Sequence, residues 1–370
     1  MNKLIHGGDI YTAEEKGREV LDFSANINPL GISENVREAV RKSIDKCSNY
    51  PDPLCRKLRK ALAEKSKKDE DYLIFGNGAA DLIFRLVLAE KPKKAILLAP
   101  TFAEYEQALN TVNCEVEHYY LSSDNSFRLD EAFINLIDSK VDMVFLCNPN
   151  NPTGQLIDGK ILLRVIEKCN TLNIRLLLDE CFIDFVKEPI SCTMIECIEK
   201  NKTLFVLRSF TKNYAIPGLR LGYGLCSDKE LLVKMSEQGQ PWNVSLLAQE
   251  AGIQALAEDG YLEESRKIVI AEREWLTVEL MALNYKVFIP ESNYIFFSII
   301  ENANSIGDEF KEAYINSFQK DLEEENILVR CCANYRGLEK GYFRIAVRNQ
   351  NENMILIDAL KRREKEWQKR

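Results

Sequence analysis

Between residues 72 and 226 the chain alternates short, uninterrupted apolar runs with longer stretches in which apolar residues recur every three or four positions. Short runs rich in Leu, Ile, Val and Phe suit strands buried on both faces, and the longer period suits amphipathic helices. The spacing predicts strands at 72–75, 95–99, 116–121, 142–147, 175–178, 203–207 and 221–225, with helices over 79–89, 104–112 and 160–170. Strand, helix and strand in that order imply right-handed crossovers, so the expected fold class is α/β with a mostly parallel central sheet wrapped by helices. After Gly239 the pattern turns to long helices, 246–257 and 262–283, and then to mixed pieces. This predicts a large domain at 41–284 and a smaller α+β domain at 285–370, completed by the N-terminal segment 1–40. The closing KRREKEWQKR reads as the solvated end of a helix.

Composition narrows the function classes. The chain has 370 residues, 46% hydrophobic and 29% charged, which are ordinary globular values for a two-domain protein. A net charge of −8 without a basic cluster gives no footprint for nucleic acid. Apolar runs such as 95–99 fall far short of the roughly 20 residues of a membrane helix. Residues 1–10 lack the apolar stretch of a secretory signal, so a cytoplasmic protein with no membrane partner is expected. The eleven cysteines form no C-x-x-C pair and read as free thiols, and with only two histidines no metal site is expected.

Chemistry in open α/β sheets gathers on loops beyond strand C-termini. Four such loops stand out. Gly76-Asn77-Gly78-Ala79-Ala80-Asp81 is either a tight turn or a cradle whose free N–H groups at a helix start bind phosphate. Asn148-Pro149-Asn150-Asn151-Pro152-Thr153-Gly154 is a stiff loop carrying amides, and Asp179-Glu180 puts acids at the end of an apolar strand, where a carboxylate needs a cationic partner. The loop from Arg208 to Arg220 crowds hydroxyls, Lys212 and an arginine together.

In this order the loops resemble the pyridoxal 5′-phosphate enzymes of the aspartate aminotransferase fold, fold type I. NPNNPTG, DECFIDF and SFTKNYAIPGLRLGY are similar to stretches of both the histidinol-phosphate aminotransferases and the L-threonine O-3-phosphate decarboxylases of cobalamin biosynthesis. His6-Gly7-Gly8-Asp9, DFSANINPLG from Asp22 and CANYRGL from Cys332 lean toward the decarboxylases, and the likeness covers nearly the whole chain.

The resemblance implies residue roles. Lys212 would form a Schiff base with the cofactor aldehyde and later move protons, and Asp179 would face the pyridine nitrogen. Asn151 would bond the ring hydroxyl oxygen, and Phe102 would stack on the ring. The Ala79 and Ala80 N–H groups, Ser209, Thr211 and Arg220 would hold the cofactor phosphate, joined by Tyr50 from a second subunit, which makes a homodimer part of the site. Arg344 would clamp the substrate carboxylate with its planar fork. His6, Asn28 and Arg330 would anchor a distal phosphate. Phe182 departs from the aminotransferases, which usually carry Tyr there.

The expected reaction is decarboxylation of the phosphorylated amino acid L-threonine O-3-phosphate to (R)-1-amino-2-propanol phosphate. The alternatives are a preference for L-serine O-phosphate, since one methyl is worth only about 1–3 kcal/mol in a pocket, or histidinol-phosphate aminotransferase activity with 2-oxoglutarate.

Overall fold

The computed structural model describes residues 7–369. Seven strands build the large sheet: β1 (Leu73–Asn77), β2 (Lys94–Ala99), β3 (Glu115–Tyr120), β4 (Met143–Cys147), β5 (Arg175–Asp179), β6 (Leu204–Ser209) and β7 (Leu221–Leu225). They lie within two residues of the predicted positions. Their spatial order is β1-β7-β6-β5-β4-β2-β3. β7 runs antiparallel to both neighbours, and every other pairing is parallel.

The unbroken apolar runs follow from burial on both faces. Along β2, β4 and β5, Leu97, Phe145 and Leu177 enter one core while Ile96, Val144 and Leu176 enter the other. Helices α1 (Ala79–Glu90) and α2 (Ala103–Asn110) cover the first face, and α3 (Gly159–Leu172) covers the second. A four-residue turn, α4 (Phe210–Asn213), follows β6, and the long helices are α5 (Leu246–Leu256) and α6 (Tyr261–Ala282).

A second, antiparallel sheet holds β8 (Lys286–Phe288), β9 (Tyr294–Ser298), β10 (Arg330–Cys331) and β11 (Tyr342–Ala346), in the order β10-β11-β9-β8. With α7 (Asp308–Glu324) and α8 (Gln350–Trp367) it encloses a third core around Phe297, Phe318, Phe343 and Leu356. Phe23 from the N-terminal segment enters this core, and the stretch Leu21–Asp22 pairs in parallel with Ile327–Leu328. Leu276 and Leu280 bury the last turns of α6 in the same core, so one helix packs on both units.

The charged C-terminus differs from its reading as a solvated helix end. Leu356, Leu360, Arg363, Glu364 and Trp367 recur at helical spacing, so the apolar stripe of α8 continues through two charged residues. Arg363 is 4% exposed, with its guanidinium 4.2 Å from the Tyr314 ring centroid and 4.7 Å from that of Phe318. It donates to Asp321 at 2.9 Å, to Glu364 at 2.8 Å and to the Tyr314 carbonyl at 2.6 Å. Removing one member of such a group strands its partners. Arg363→Ala should lower stability by about 3 kcal/mol, read by urea unfolding, whereas its exposed neighbour Arg362→Ala should change it by no more than about 0.5 kcal/mol.

Candidate active site

The C-terminal ends of β4, β5 and β6 and the start of α1 meet residues of the small sheet around a cavity of about 300 Å³. Its lining includes Ala79, Ala80, Phe102, Asn151, Asp179, Ser209, Thr211, Lys212, Arg220, Arg330 and Arg344. Eleven of the fourteen residues singled out in the sequence therefore share one space.

One end suits a phosphate. Gly78 leads into α1 at φ +81°, and a side chain there would meet the Arg220 guanidinium, since a Cβ would lie 2.3 Å from Nη2. Gly222 is bare for a related reason: its Cβ would lie 2.4 Å from the Ala79 nitrogen, so β7 passes directly beneath the first turn of the helix. Among the described residues no side chain caps α1. Its first N–H groups and positive dipole end therefore remain available to an anion. Ser209 and Thr211 place their hydroxyls 2.5 Å apart nearby. Arg220 adopts the left-handed conformation at φ 58° and donates to the Pro217 carbonyl at 3.1 Å, which steers the guanidinium toward the helix start.

At the other end Asp179 closes β5. One carboxylate oxygen accepts from the Tyr105 hydroxyl at 2.6 Å, and the other accepts from the Cys181 amide at 2.9 Å. Burial pushes its carboxyl up, opposed by those two hydrogen bonds. Among the described residues no lysine or arginine forms an ion pair with it. A buried carboxylate without a cation of its own fits a cationic group supplied from outside the chain, as a protonated pyridine nitrogen would be.

Between these ends stands Lys212, one turn beyond β6, where Ser209 caps the short helix by accepting from the Thr211 amide. Burial is the main cause that lowers its ammonium to about 8; Arg344 and Arg220 push the same way, against Cys181 and Glu104. A lysine in this range supplies a neutral amine near physiological pH. Phe102, the residue preceding α2, flanks the cavity and sets its ring edge-on to Tyr105, with centroids 5.5 Å apart. The donor set, the open helix start and the unpaired carboxylate together fit pyridoxal phosphate.

The small sheet supplies two guanidiniums. Arg330 of β10 and Arg344 of β11 are register partners on adjacent strands. Arg344 donates to the Asn151 amide oxygen and, at 2.8 Å, to the Ser24 carbonyl, while its Nε has no hydrogen-bond partner among the described residues. Arg330 donates to the Cys331 carbonyl and to Asn334, each at 2.8 Å, and lies over the Tyr335 ring.

Two expected residues, Asn28 and Tyr50, lie outside the cavity. Asn28 is buried off the cavity, with its amide donating to the Asn213 carbonyl at 2.7 Å and its oxygen accepting from the Leu30 amide at 3.0 Å, so its polar atoms are engaged in holding loops. Tyr50 is 77% exposed and stacks on Trp242 at 4.5 Å, outside the cavity. His6 lies outside the described residues.

Residues missed in the sequence include Asn26, Glu104, Tyr105 and Cys181. Asn26 is buried on the cavity wall, and its amide oxygen has no hydrogen-bond partner among the described residues. The motif Ser24-Ala25-Asn26-Ile27-Asn28 contained it, but order alone does not say which asparagine faces the cavity. Phe182 also lines the wall, edge-on to Tyr294 with centroids 5.0 Å apart.

The family described as aminotransferase class I and II matches residues 18–360. A threonine-phosphate decarboxylase of Salmonella typhimurium is 36% identical over 361 residues, which is 96% of this chain and 95% of the relative. Among solved structures, the histidinol-phosphate aminotransferase from Clostridium acetobutylicum superposes with a TM-score of 0.85 at 30% identity, over 94% of this chain and 100% of that one. The L-threonine-O-3-phosphate decarboxylase from Porphyromonas gingivalis gives a TM-score of 0.77 at 26% identity, over 92% and 98%. The chain belongs to the class I and II aminotransferase family, the pyridoxal 5′-phosphate-dependent enzymes of fold type I.

Proposed function

We propose that the protein decarboxylates L-threonine O-3-phosphate to (R)-1-amino-2-propanol phosphate, a step of cobalamin biosynthesis. The observation that carries the reading is the pair of guanidiniums, Arg344 and Arg330, set in register on one wall of the cavity. Two fixed cations suit a substrate with two anionic groups, here a carboxylate and a phosphate. The likeness to two decarboxylases named for this substrate supports it, as does Phe182 in place of the aminotransferases' tyrosine.

When bound, pyridoxal phosphate supplies an aldehyde for an amine and a conjugated ring that draws electrons from the substrate α-carbon. The protein's part is orientation. Ala79 and Ala80, through their N–H groups, together with Ser209, Thr211 and Arg220, would hold the cofactor phosphate, and Asp179 would keep a proton on the ring nitrogen. Asn151 and Phe102, both on the cavity wall, would bond the ring hydroxyl oxygen and cover the ring. Lys212, a buried amine lowered to about 8, would be the group that meets the aldehyde and the one placed to move a proton at the substrate α-carbon. Orientation of the substrate would decide which bond at its α-carbon is broken. Arg344 and Arg330 fix the substrate's anionic ends and so choose the carboxylate bond over the hydrogen.

The active form in this reading is a homodimer in the cytoplasm. Tyr50 and Trp242 are stacked and open to solvent, with exposed Ile44 and Leu54 in the same stretch of chain as Tyr50. Exposed apolar side chains of this kind suit burial against a second copy, which would bring Tyr50 to the other subunit's phosphate. Eleven free cysteines suit a reducing compartment.

Purified protein with pyridoxal phosphate and L-threonine O-3-phosphate, without any 2-oxo acid, should release carbon dioxide and the phosphorylated amine in equal amounts, faster than with L-serine O-phosphate. No release, with amino transfer from histidinol phosphate to 2-oxoglutarate, would replace the proposal with the aminotransferase reading. Light scattering should give twice the chain mass, and Tyr50→Phe should weaken cofactor binding about tenfold, the loss of one hydrogen bond to a charged group, without changing that mass. A monomer of full activity would remove Tyr50 from the site.

A further inference from the structure

Behind Lys212, and outside the cavity, runs a chain of four polar side chains: Glu180, Arg208 and Asn213, all buried, and the half-buried Asp184. Glu180 directly follows Asp179, and Arg208 directly precedes the Ser209 that caps the Lys212 turn. The Glu180 carboxylate accepts from Arg208 Nε at 3.1 Å and Nη2 at 2.9 Å, from the Thr193 hydroxyl at 2.6 Å and from the Met194 amide at 2.7 Å. This pair ties the end of β5 to the end of β6, where the Glu180 amide also donates to the Leu207 carbonyl at 2.9 Å. Arg208 Nη1 then donates to both oxygens of Asp184, at 3.2 and 3.3 Å, and the Asn213 amide donates to the same carboxylate. From the opposite side Asn28 donates to the carbonyls of Lys212, at 3.2 Å, and Asn213, at 2.7 Å.

An apolar cluster of similar volume would stabilise this place as well as a buried ion pair does, so the polar chain needs another explanation. Its value is direction: charge-assisted hydrogen bonds fix where a short turn points, which contact between methyl groups does not. We infer that Asp184 and Asn213 are positioning residues for Lys212, with the Glu180 and Arg208 pair as the anchor that holds the lysine turn against the strand carrying Asp179. The inference rests on Lys212 being the reacting amine of the proposed function. The groups that face this amine are Arg344 from β11, Arg220 before β7, Cys181 after β5 and Glu104 on α2. A turn freed from Asp184 lets the ammonium regain water and draw away from the two arginines, so it holds its proton to higher pH.

The test uses the full-length chain freed of cofactor, with trace acetylation by acetic anhydride at a series of pH values and the Lys212 peptide quantified by mass spectrometry. In the unmodified sequence the midpoint of reactivity should lie near 8. Asn213→Ala and the isosteric Asp184→Asn should each raise it by about one unit while circular dichroism shows an unchanged fold. In the holoenzyme both should lower kcat by about tenfold or more with little change in KM, because Arg344 and Arg330 are untouched. Asp184→Asn alone decides the matter if the alanine variant does not fold. Folded variants that keep the original midpoint would overturn the inference and leave the reading of the site intact. If Lys212 in the unmodified sequence titrates with the surface lysines, the reading of Lys212 itself falls, and the inference with it.

Discussion

A carboxylate held inside a protein without a cation is among the costlier things a fold can contain, and Asp179 is such a group. Burial pushes its carboxyl up, while Tyr105 and the Cys181 amide bind its two oxygens and favour the charged form. Hydrogen bonds of this kind hold the group in one orientation but do not neutralise it. Within the proposed function the missing charge is a protonated ring nitrogen, and the remaining features follow from placing that ring. The open start of α1 would take the phosphate end, Lys212 would meet the aldehyde, and the two arginines of the small sheet would close the substrate side.

The parallel sheet makes this arrangement possible. Strands buried on both faces cannot carry polar side chains along their length, so Asp179 and the residues after Cys147 and Leu207 are polar where the strands end. Behind these ends, Glu180 and Arg208 form a pair that faces away from the cavity. One layer of polar side chains is thus left for chemistry, and a second layer supports it.

Much of this was legible in the chain. The strands were readable because double burial enforces unbroken apolar runs, and the loops were readable because asparagines between prolines, or a lysine among hydroxyls, have no use in a core. Tyr105 was not legible: in Ala103-Glu104-Tyr105 its spacing is that of any core aromatic, and only the folded helix aims its hydroxyl at Asp179. Asn28 was singled out although it is Asn26 that lines the cavity, because two asparagines in an irregular segment carry no periodicity to tell inside from outside. Arg363 and Glu364 were masked by the charges around them, although their spacing from Leu356 and Leu360 placed them on the buried face. Tyr50 stacks on Trp242 outside the cavity, so the phosphate contact that the resemblance implies for it belongs to the proposed dimer and has no counterpart among the described residues.

The central claim is that the charge of Asp179 is completed by a cationic ring nitrogen. It is tested most directly by nitrogen-15 nuclear magnetic resonance of the holoenzyme loaded with ring-labelled pyridoxal phosphate. The account predicts a ring nitrogen that stays protonated well into alkaline pH and loses that proton near neutrality in Asp179→Asn. A nitrogen that is unprotonated at neutral pH in the unmodified protein, or one indifferent to the substitution, would contradict it.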